Sequence, residues 1–151
     1  MKIYVASSWR NAYQPHVVEH LRDREHEVYD FRNPPSGLKG FAWSDIDPEW
    51  LKWTPSQWRD ALLHPLAVSG FKSDLAGMEW AEACVLVLPS GRSSHLEAGW
   101  MLGKGKPCAV FVPEPVEPDL MVGLCNGGVV TSFDELDDWL LDAGPERERG
   151  A

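Results

Sequence analysis

The sequence predicts a three-layer α/β fold in which helices cover both faces of a five-stranded parallel sheet. Short apolar runs that are typical of strands alternate with helical segments along the chain. In the strongest of these runs the apolar residues are continuous, which indicates strands buried on both faces. With 151 residues the chain is long enough for one domain with a real core, and residues 1–144 are expected to form it.

Five segments are predicted to form the strands of this sheet. The three strongest are KIYVA (Lys2–Ala6), VLVLP (Val85–Pro89) and CAVFV (Cys108–Val112). HEVYDF (His26–Phe31) and GVVTS (Gly128–Ser132) are weaker candidates. Right-handed crossovers leave a few doubly wound topologies, of which the flavodoxin-like strand order 2-1-3-4-5 is the one expected.

The segments between these strands are predicted to be helical. One helix is expected from Pro15 to about Arg24 and another from about Leu66 to Ala83. Thr54 begins a capping-box pattern at the start of a further helix, and Ser132 begins a similar pattern near the end of the chain. Gly103-Lys104-Gly105-Lys106 lacks the spacing of a phosphate-binding P-loop and is predicted to be a turn that ends a helix.

Two segments do not fit the alternation of strands and helices. Residues 33–58 are rich in proline, glycine and tryptophan, and they exceed the length of an ordinary connection. They are interpreted as an insertion, either a lid over a ligand or a loop packed over the core by its own aromatic side chains. The C-terminal residues 145–151, PERERGA, are predicted to be disordered.

Composition argues against several kinds of partner. The formal charge is −9, from 14 Lys+Arg against 23 Asp+Glu, and no long basic run is present, which disfavours duplex nucleic acid. No apolar run approaches the roughly 20 residues that span a bilayer, and the N-terminus is too short and polar for a signal peptide. The cysteines, Cys84, Cys108 and Cys125, form no C-x-x-C pair. Reduced thiols in a cytoplasmic protein are therefore predicted.

One pattern in the sequence is typical of a metal site. HVVEH, from His16 to His20, matches the inverted zinc-peptidase motif, and at helical spacing its two histidines share a face. The same helix must pack Val17 and Leu21 onto the sheet, and motifs this short have many chance matches. A solvated helix face is the preferred interpretation, and neither a metal nor a cofactor is expected.

Polar side chains follow the two strands that flank the expected ligand crevice. In the order 2-1-3-4-5 this crevice lies beyond the carboxyl ends of the first and third strands. Ser7, Ser8 and Arg10 follow the first strand ahead of a helix, where hydroxyls, amides and a guanidinium suit a phosphate. Ser93 and Ser94, after the third strand, are placed to close on the same anion. The alternative is a polar loop whose serines satisfy nearby backbone groups.

Glu97 is the main candidate for chemistry at this crevice. With Ser94 it has the spacing of a capping box, in which the glutamate reaches back to the start of its helix. The other interpretation is a catalytic carboxylate, since its neighbours are small or polar and Gly99 leaves space beside the helix. The helix dipole and first-turn amides are expected to keep it ionised, as a nucleophile requires. Asp74 is a second acid, or else a helix-surface aspartate.

Several segments match one enzyme family. They are IYVASSW (Ile3–Trp9), SDLAGMEWAEACVLVL (Ser73–Leu88), SSHLEAGWMLGKGKP (Ser93–Pro107) and, more weakly, PDLMVGL (Pro118–Leu124). On these segments the chain resembles the nucleoside deoxyribosyltransferase-like family, which includes deoxynucleoside 5′-monophosphate N-glycosidases. The resemblance implies a flavodoxin-like fold and an enzyme that cleaves the N-glycosidic bond, or exchanges the base, of a nucleoside or its 5′-monophosphate.

The resemblance also implies roles for single residues. Glu97 would attack C1′ of the sugar, with Tyr4 orienting it. Asp74 would handle the proton on the departing base. Ser8 and Arg10 match positions that hold a 5′-phosphate in the branch that hydrolyses monophosphates.

Other positions bear on the partner and the reaction. Asp119 matches a residue that often reaches into a neighbouring subunit's site, which implies a homodimer or higher homo-oligomer. Transferases of the family usually carry an additional acidic residue shortly before the catalytic glutamate, where this chain reads Gly91-Arg92-Ser93. A cation there favours an anionic substrate, and hydrolysis over base transfer. Trp9 and Trp43 are candidates for stacking on the base. The alternative function is a non-catalytic nucleotide-binding module of the same fold.

Overall fold

A computed structural model describes residues 1–35, 37 and 39–144, and the predicted disorder of residues 145–151 falls outside them. Its core is a five-stranded sheet with parallel pairing throughout and the order 2-1-3-4-5. The strands are β1 (Lys2–Ala6), β2 (Glu27–Asp30), β3 (Ala83–Val87), β4 (Cys108–Phe111) and β5 (Val129–Val130). The fold class and strand order predicted from the sequence are confirmed.

Five α-helices complete the layers. They are α1 (Gln14–Asp23), α2 (Pro55–Ala61), α3 (Pro65–Trp80), α4 (Arg92–Gly103) and α5 (Phe133–Ala143). The buried residues of α1 and α5 pack into the core on one face of the sheet, and those of α3 and α4 pack into the core on the other face. In the described residues, no helix has the length and apolar character needed to cross a membrane.

The two central strands divide their side chains between these cores. Because successive side chains of a strand point to opposite faces, Ile3 and Val5 of β1 lie in the α1–α5 core and Tyr4 lies in the α3–α4 core. All five residues of β3 are buried. Tyr4 therefore faces α3 and α4, which carry the two candidate acids.

The boundary between α3 and β3 differs from the sequence prediction. The helix ends at Trp80, not near Ala83, and β3 begins two residues before Val85. The reason is pairing with the neighbouring strand, since Ala83 lies opposite Ile3 of β1 in the sheet register. The sequence prediction extends the helix to about Ala83 because an alanine gives no local signal of sheet pairing.

Predicted helix ends are confirmed at two positions. The Thr54 hydroxyl accepts the Gln57 N–H at 3.2 Å and the Gln57 side chain accepts the Thr54 N–H at 2.9 Å, which is a complete capping box. After α4 the chain turns at Gly105, whose φ of 77° lies in the left-handed region. Lys106 then donates from Nζ to three carbonyl oxygens at the end of α3, those of Met78, Glu79 and Ala81. This ammonium group fixes the end of the helix that carries Asp74.

The Trp-rich segment 33–58 contains two short 3₁₀ helices, Trp43–Asp45 and Trp50–Lys52. The ring of Trp43 makes perpendicular contacts with Phe41 at 4.7 Å and with Trp53 at 5.7 Å between centroids. Phe41 also packs against α3 at Gly70, where a Cβ would lie 2.9 Å from the Phe41 Cβ. Trp43 is therefore committed to packing inside this segment.

Candidate active site

Three ionisable side chains meet on the face of the sheet covered by α3 and α4. They are Tyr4 from β1, Asp74 from α3 and Glu97 from α4. Burial raises the pKa of the Tyr4 phenol far above its usual range, and the negative charges of Glu97 and Asp74 raise it further. The three residues to which the resemblance gave catalytic roles thus lie close enough to influence one another.

The start of α4 differs from the sequence prediction. Its N-cap is Gly91, with extended backbone, and Arg92 is the first helical residue. The Ser94 hydroxyl donates to the Gly91 carbonyl oxygen at 2.8 Å and caps no amide. Glu97 is the sixth residue of the helix, beyond its first turn. The capping-box interpretation of Ser94 and Glu97 is therefore wrong, because the helix starts earlier than that interpretation requires.

The expectation that Glu97 stays fully ionised at neutral pH is also wrong. Burial raises the pKa of Glu97 to about 7, the charge of Asp74 raises it too, and the Tyr4 hydroxyl lowers it. Near neutral pH a substantial fraction of the molecules therefore carries a protonated Glu97. In the second turn this carboxyl is remote from the unpaired amides at the helix start, so desolvation outweighs the helix dipole.

Asp74 is a half-buried carboxyl with a fixed position, and the alternative of a solvent-exposed helix aspartate is excluded. The Tyr29 hydroxyl donates to Asp74 Oδ1 at 2.9 Å and lies 2.9 Å from the Ser73 hydroxyl oxygen. Burial raises the pKa of Asp74, although the hydrogen bond from Tyr29 opposes this. Asp74 is thus a partly buried carboxyl group that is fixed in position by Tyr29.

Tyr4 has a buried hydroxyl group near Asp74 and Glu97. Its ring stacks on that of Tyr29, with centroids 5.2 Å apart and planes within 8°. Gly77 of α3 permits this arrangement, since a Cβ there would lie 2.6 Å from the Tyr29 ring. Among the described residues the Tyr4 hydroxyl has no partner at hydrogen-bonding geometry, although Glu97 is near enough for its pKa to respond to the hydroxyl. A small shift of the carboxylate, or a ligand, would satisfy this hydroxyl.

The loops after β1 and β3 are tied together. Ser7 Oγ donates to the Val87 carbonyl oxygen at 2.9 Å, and Asn11 Nδ2 donates to the carbonyl oxygens of Val87 at 3.2 Å and Pro89 at 2.9 Å. The structure therefore brings together the two polar segments expected at the crevice. Ser7, however, uses its hydroxyl proton to join the loops.

The next three residues are more open to solvent. Ser8 Oγ accepts the Arg10 N–H at 3.1 Å. The Trp9 side chain is half exposed, with its ring edge against Phe31 at 5.5 Å between centroids. The Arg10 side chain is exposed. These residues form a polar, accessible rim at the carboxyl end of β1.

Residues at the start of α4 differ in how accessible they are. Arg92 and Ser93 are exposed, whereas Ser94 is 2% exposed and donates to its own helix start. The first two remain accessible to an anion. Ser94 is committed to the backbone.

Asp119 lies beside the N-terminal half of α4. Its carboxylate accepts the Met121 N–H at 2.9 Å and lies 3.9 Å from His95 Nε2. A cavity of about 140 Å³ separates this segment from α4, and its lining includes Gly99. The space beside Gly99 therefore opens toward Asp119, and Glu97 is not part of that lining.

The HVVEH motif lies in the other half of the molecule. His20 Nε2 is 2.8 Å from Asp137 Oδ1, and its ring stacks on Phe133 at 4.3 Å between centroids. His16 is exposed, so the solvated-face interpretation applies to His16 but is wrong for His20, which packs against α5. Within the part of the chain that is described, no group of three or more potential ligands is arranged for a metal ion.

Sequence reasoning did not identify three residues that organise this region. In the sequence, Asn11 is one residue of a polar loop and Tyr29 is one aromatic residue of a predicted strand, so neither pattern indicates a role at the site. Arg32 follows β2, and its guanidinium contacts the loop after β1. The position of Arg32 could have been predicted, because the order 2-1-3-4-5 places the carboxyl end of β2, which Arg32 follows, beside the carboxyl end of β1.

Comparison with known proteins bears on the fold. No protein-family model matches the chain, and no curated protein matches it at a significant level. Among solved structures, it is similar to the 2-deoxyribosyltransferase of the psychrotolerant bacterium Bacillus psychrosaccharolyticus, described as a biocatalyst for the synthesis of antiviral and antitumoral nucleosides. The likeness covers 91% of each chain, with a TM-score of 0.58 and 22% sequence identity. At this identity the comparison establishes the fold, which is that of the nucleoside 2-deoxyribosyltransferases.

Proposed function

We propose that this chain is an enzyme that cleaves the N-glycosidic bond of a nucleoside or its 5′-monophosphate, with Glu97 as nucleophile. The observation that carries the proposal is the cluster of Tyr4, Asp74 and Glu97, in which two carboxyl groups have raised pKa values beside a buried phenol. Paired carboxyl groups of this kind supply the nucleophile and the acid of glycosidic cleavage. The 2-deoxyribosyltransferase-like fold supports base exchange or glycosidase chemistry.

The proposed reaction has two steps. A Glu97 carboxylate oxygen bonds to C1′ while the bond from C1′ to the base nitrogen breaks, and its electron pair leaves with the base. Asp74 gives that nitrogen a proton. Water then bonds to C1′, giving its proton to Asp74, and the ester to Glu97 breaks with its electron pair returning to the carboxylate.

The protonation states of Asp74 and Glu97 depend on each other. The charge of Asp74 raises the pKa of Glu97, so a protonated Asp74 makes Glu97 easier to ionise. Burial raises the pKa of Asp74 and so favours its protonated form. The reaction needs one proton on the pair, and it needs that proton to pass from Glu97, whose pKa is raised to about 7, to Asp74 when the substrate binds, which leaves an acid for the base and a carboxylate for the sugar.

We further propose hydrolysis of a 5′-monophosphate over base transfer. The net charge of the chain is −9, so an anionic substrate needs local cations. Arg10 is exposed in the loop after β1, and Arg92 is exposed after β3 at the start of α4. The Ser8 hydroxyl accepts the Arg10 N–H in the same loop. Arg92 also lies in the segment, Gly91-Arg92-Ser93, where the transferases of the resembling family carry an acid.

Trp9 and Asp119 complete the proposed substrate site. The half-exposed indole of Trp9 is available to stack on a base. Asp119 is exposed, which leaves it accessible to a neighbouring subunit's site in a homo-oligomer.

The test of the function is a panel of ribo- and deoxyribonucleosides and their 5′-monophosphates, assayed for free base with and without an added acceptor base. Release of base without an acceptor is expected, and monophosphates should be the better substrates. New nucleoside formed only with an acceptor would indicate a transferase. Binding of a nucleotide with no base release from any compound would favour the non-catalytic module and contradict the proposal.

Arg10→Ala is expected to lower kcat/KM for the monophosphate by about 10- to 100-fold, because a charge-assisted contact to phosphate is lost. The rate with the unphosphorylated nucleoside should stay within about twofold of wild type. Steady-state kinetics with both substrates measure the difference. Arg24→Ala, on the opposite face of the sheet from the site, is the matched control. Equal loss with both substrates would refute a phosphate role.

Activity is expected to fall about tenfold per pH unit below pH 7, because protonation of Glu97 removes the nucleophile. Tyr4→Phe removes the hydroxyl that lowers the Glu97 pKa, so this acidic limb should move to higher pH. Profiles of kcat/KM against pH measure both effects.

Tyr13→Phe is the control, since that hydroxyl bonds Glu114 and does not act on Glu97. Little stability should be lost in Tyr4→Phe, because the hydroxyl that it removes has no hydrogen-bond partner among the described residues. An acidic limb that stays in place, or moves to lower pH, would contradict the assignment of Tyr4.

A further inference from the structure

The Arg32 guanidinium binds the loop that follows β1. Its Nη2 donates to the carbonyl oxygens of Ser8 at 2.9 Å, Trp9 at 3.0 Å and Asn11 at 2.9 Å. Its central carbon also lies 5.5 Å from the centroid of the Trp9 ring and 5.8 Å from that of Phe31. The Arg32 side chain thus donates hydrogen bonds to three carbonyl groups of the loop and packs over the Trp9 indole of the same loop.

These contacts determine the direction of the amide groups in the loop. In a trans peptide the C=O and the following N–H point in opposite directions. The N–H groups of Trp9, Arg10 and Ala12 therefore point away from Arg32. The Arg10 N–H meets Ser8 Oγ, so this hydroxyl lies on the side of the loop opposite the guanidinium. Amides and a hydroxyl on one side of a loop favour an anion there.

Arg32 is itself held in place from β2. Its backbone N–H donates to Asp30 Oδ1 at 3.0 Å, and the same oxygen accepts from Gln14 Nε2 of α1 at 2.8 Å. Gly40 of the Trp-rich segment supports the loop from another side, because any side chain there would overlap the Trp9 ring. The backbone of Arg32 is therefore anchored independently of the loop that its guanidinium holds.

We propose that Arg32 is a positioning residue that pre-organises the loop Ser8–Asn11 for the phosphate of the substrate. It does not touch the substrate itself, since it lies on the carbonyl side of the loop. Without it the three carbonyl groups lose a common donor, so the peptide planes are free to turn and the side of the loop opposite Arg32 loses its fixed arrangement. This inference rests on the proposed function, because the loop is the proposed phosphate site.

The test compares Arg32→Met, which keeps much of the side-chain length without charge, with Arg32→Lys. An ammonium group can donate hydrogen bonds to three carbonyl oxygens, as that of Lys106 does at the end of α3. Arg32→Met is expected to raise KM for the 5′-monophosphate about tenfold or more, with kcat within about twofold. Arg32→Lys should recover KM to within about threefold of wild type. Arg24→Met, which breaks the guanidinium contact with Asp137, is the control.

A second readout does not depend on catalysis. Hydrogen exchange at the Asn11 amide, which donates to the Ser8 carbonyl oxygen at 3.1 Å, should accelerate in Arg32→Met and recover in Arg32→Lys. Binding of inorganic phosphate, measured by calorimetry, should weaken in the same order. If wild type releases no base, the proposed function fails, while these two readouts still decide the role of Arg32.

Two results would overturn the role of Arg32. One is an Asn11 amide in Arg32→Met that exchanges as in wild type. The other is a loss of kcat and thermal stability equal in both variants with KM unchanged, which indicates a purely structural contact.

Discussion

Glu97→Gln is expected to lower base release by at least about a thousandfold while substrate still binds. The amide has nearly the size of the carboxyl group but cannot form the bond to C1′. Because the pKa of Glu97 is about 7, the site already accommodates a neutral carboxyl group at this position near neutral pH. Substrate affinity, measured by calorimetry, should therefore remain within a few-fold of wild type.

The stability of this variant provides an independent check. The pKa of Glu97 rises from an ordinary 4.5 to about 7 on folding, so the folded state binds more protons than the unfolded state between these pH values. Wild-type stability therefore falls as pH rises from 4.5 to 7, and glutamine removes this loss. Above pH 7 the Tm of Glu97→Gln should equal or exceed that of wild type.

Glu19→Gln, an exposed glutamate of α1, is the matched control and should change neither turnover nor Tm. If Glu97→Gln retains turnover within about tenfold of wild type, Glu97 is not the nucleophile. If binding and turnover are lost together with the fold intact, Glu97 acts in binding.

The sheet was predictable because its signals are repeated along the chain. Each central strand is a continuous apolar run, as expected for strands between two helix layers, and crossover handedness limits how such strands are ordered. The boundaries were less predictable where pairing decides them. Ala83 joins β3 through its register with β1, and no local property of the residue indicates this.

The chemistry of the site was predictable in its residue types and not in its electrostatics. The resemblance pointed to Glu97, Asp74 and Tyr4, and the structure brings them together. The direction of the Glu97 pKa shift depends on how much water the folded chain excludes, which spacing along a helix cannot report. The local pattern of Ser94 and Glu97 suggested a cap, but the extended backbone at Gly91 starts the helix earlier.

Asp74→Asn is expected to lower base release by about 10²- to 10⁴-fold at neutral pH, because asparagine has no acidic proton for the departing base. The side chain keeps its size, and its amide oxygen still accepts the Tyr29 hydroxyl that now bonds Oδ1 at 2.9 Å. The fold should therefore be retained. The measurement is base release in single-turnover kinetics, where product release does not limit the rate.

Two controls separate proton donation from a general disturbance of the site. Asp60→Asn, at an exposed position in α2, should leave the rate unchanged. A nucleoside whose base departs readily without protonation should lose much less rate in Asp74→Asn than an ordinary substrate. If both substrates lose the same factor, Asp74 is not the acid.

The pH profile of Asp74→Asn adds a prediction of opposite sign to that for Tyr4→Phe. The negative charge of Asp74 raises the pKa of Glu97, so its removal lowers that pKa and moves the acidic limb of kcat/KM to lower pH. Tyr4→Phe moves the same limb to higher pH. Opposite shifts are expected only if one titrating group is affected by both Tyr4 and Asp74. This pair of profiles would therefore identify Glu97 as the group that must ionise.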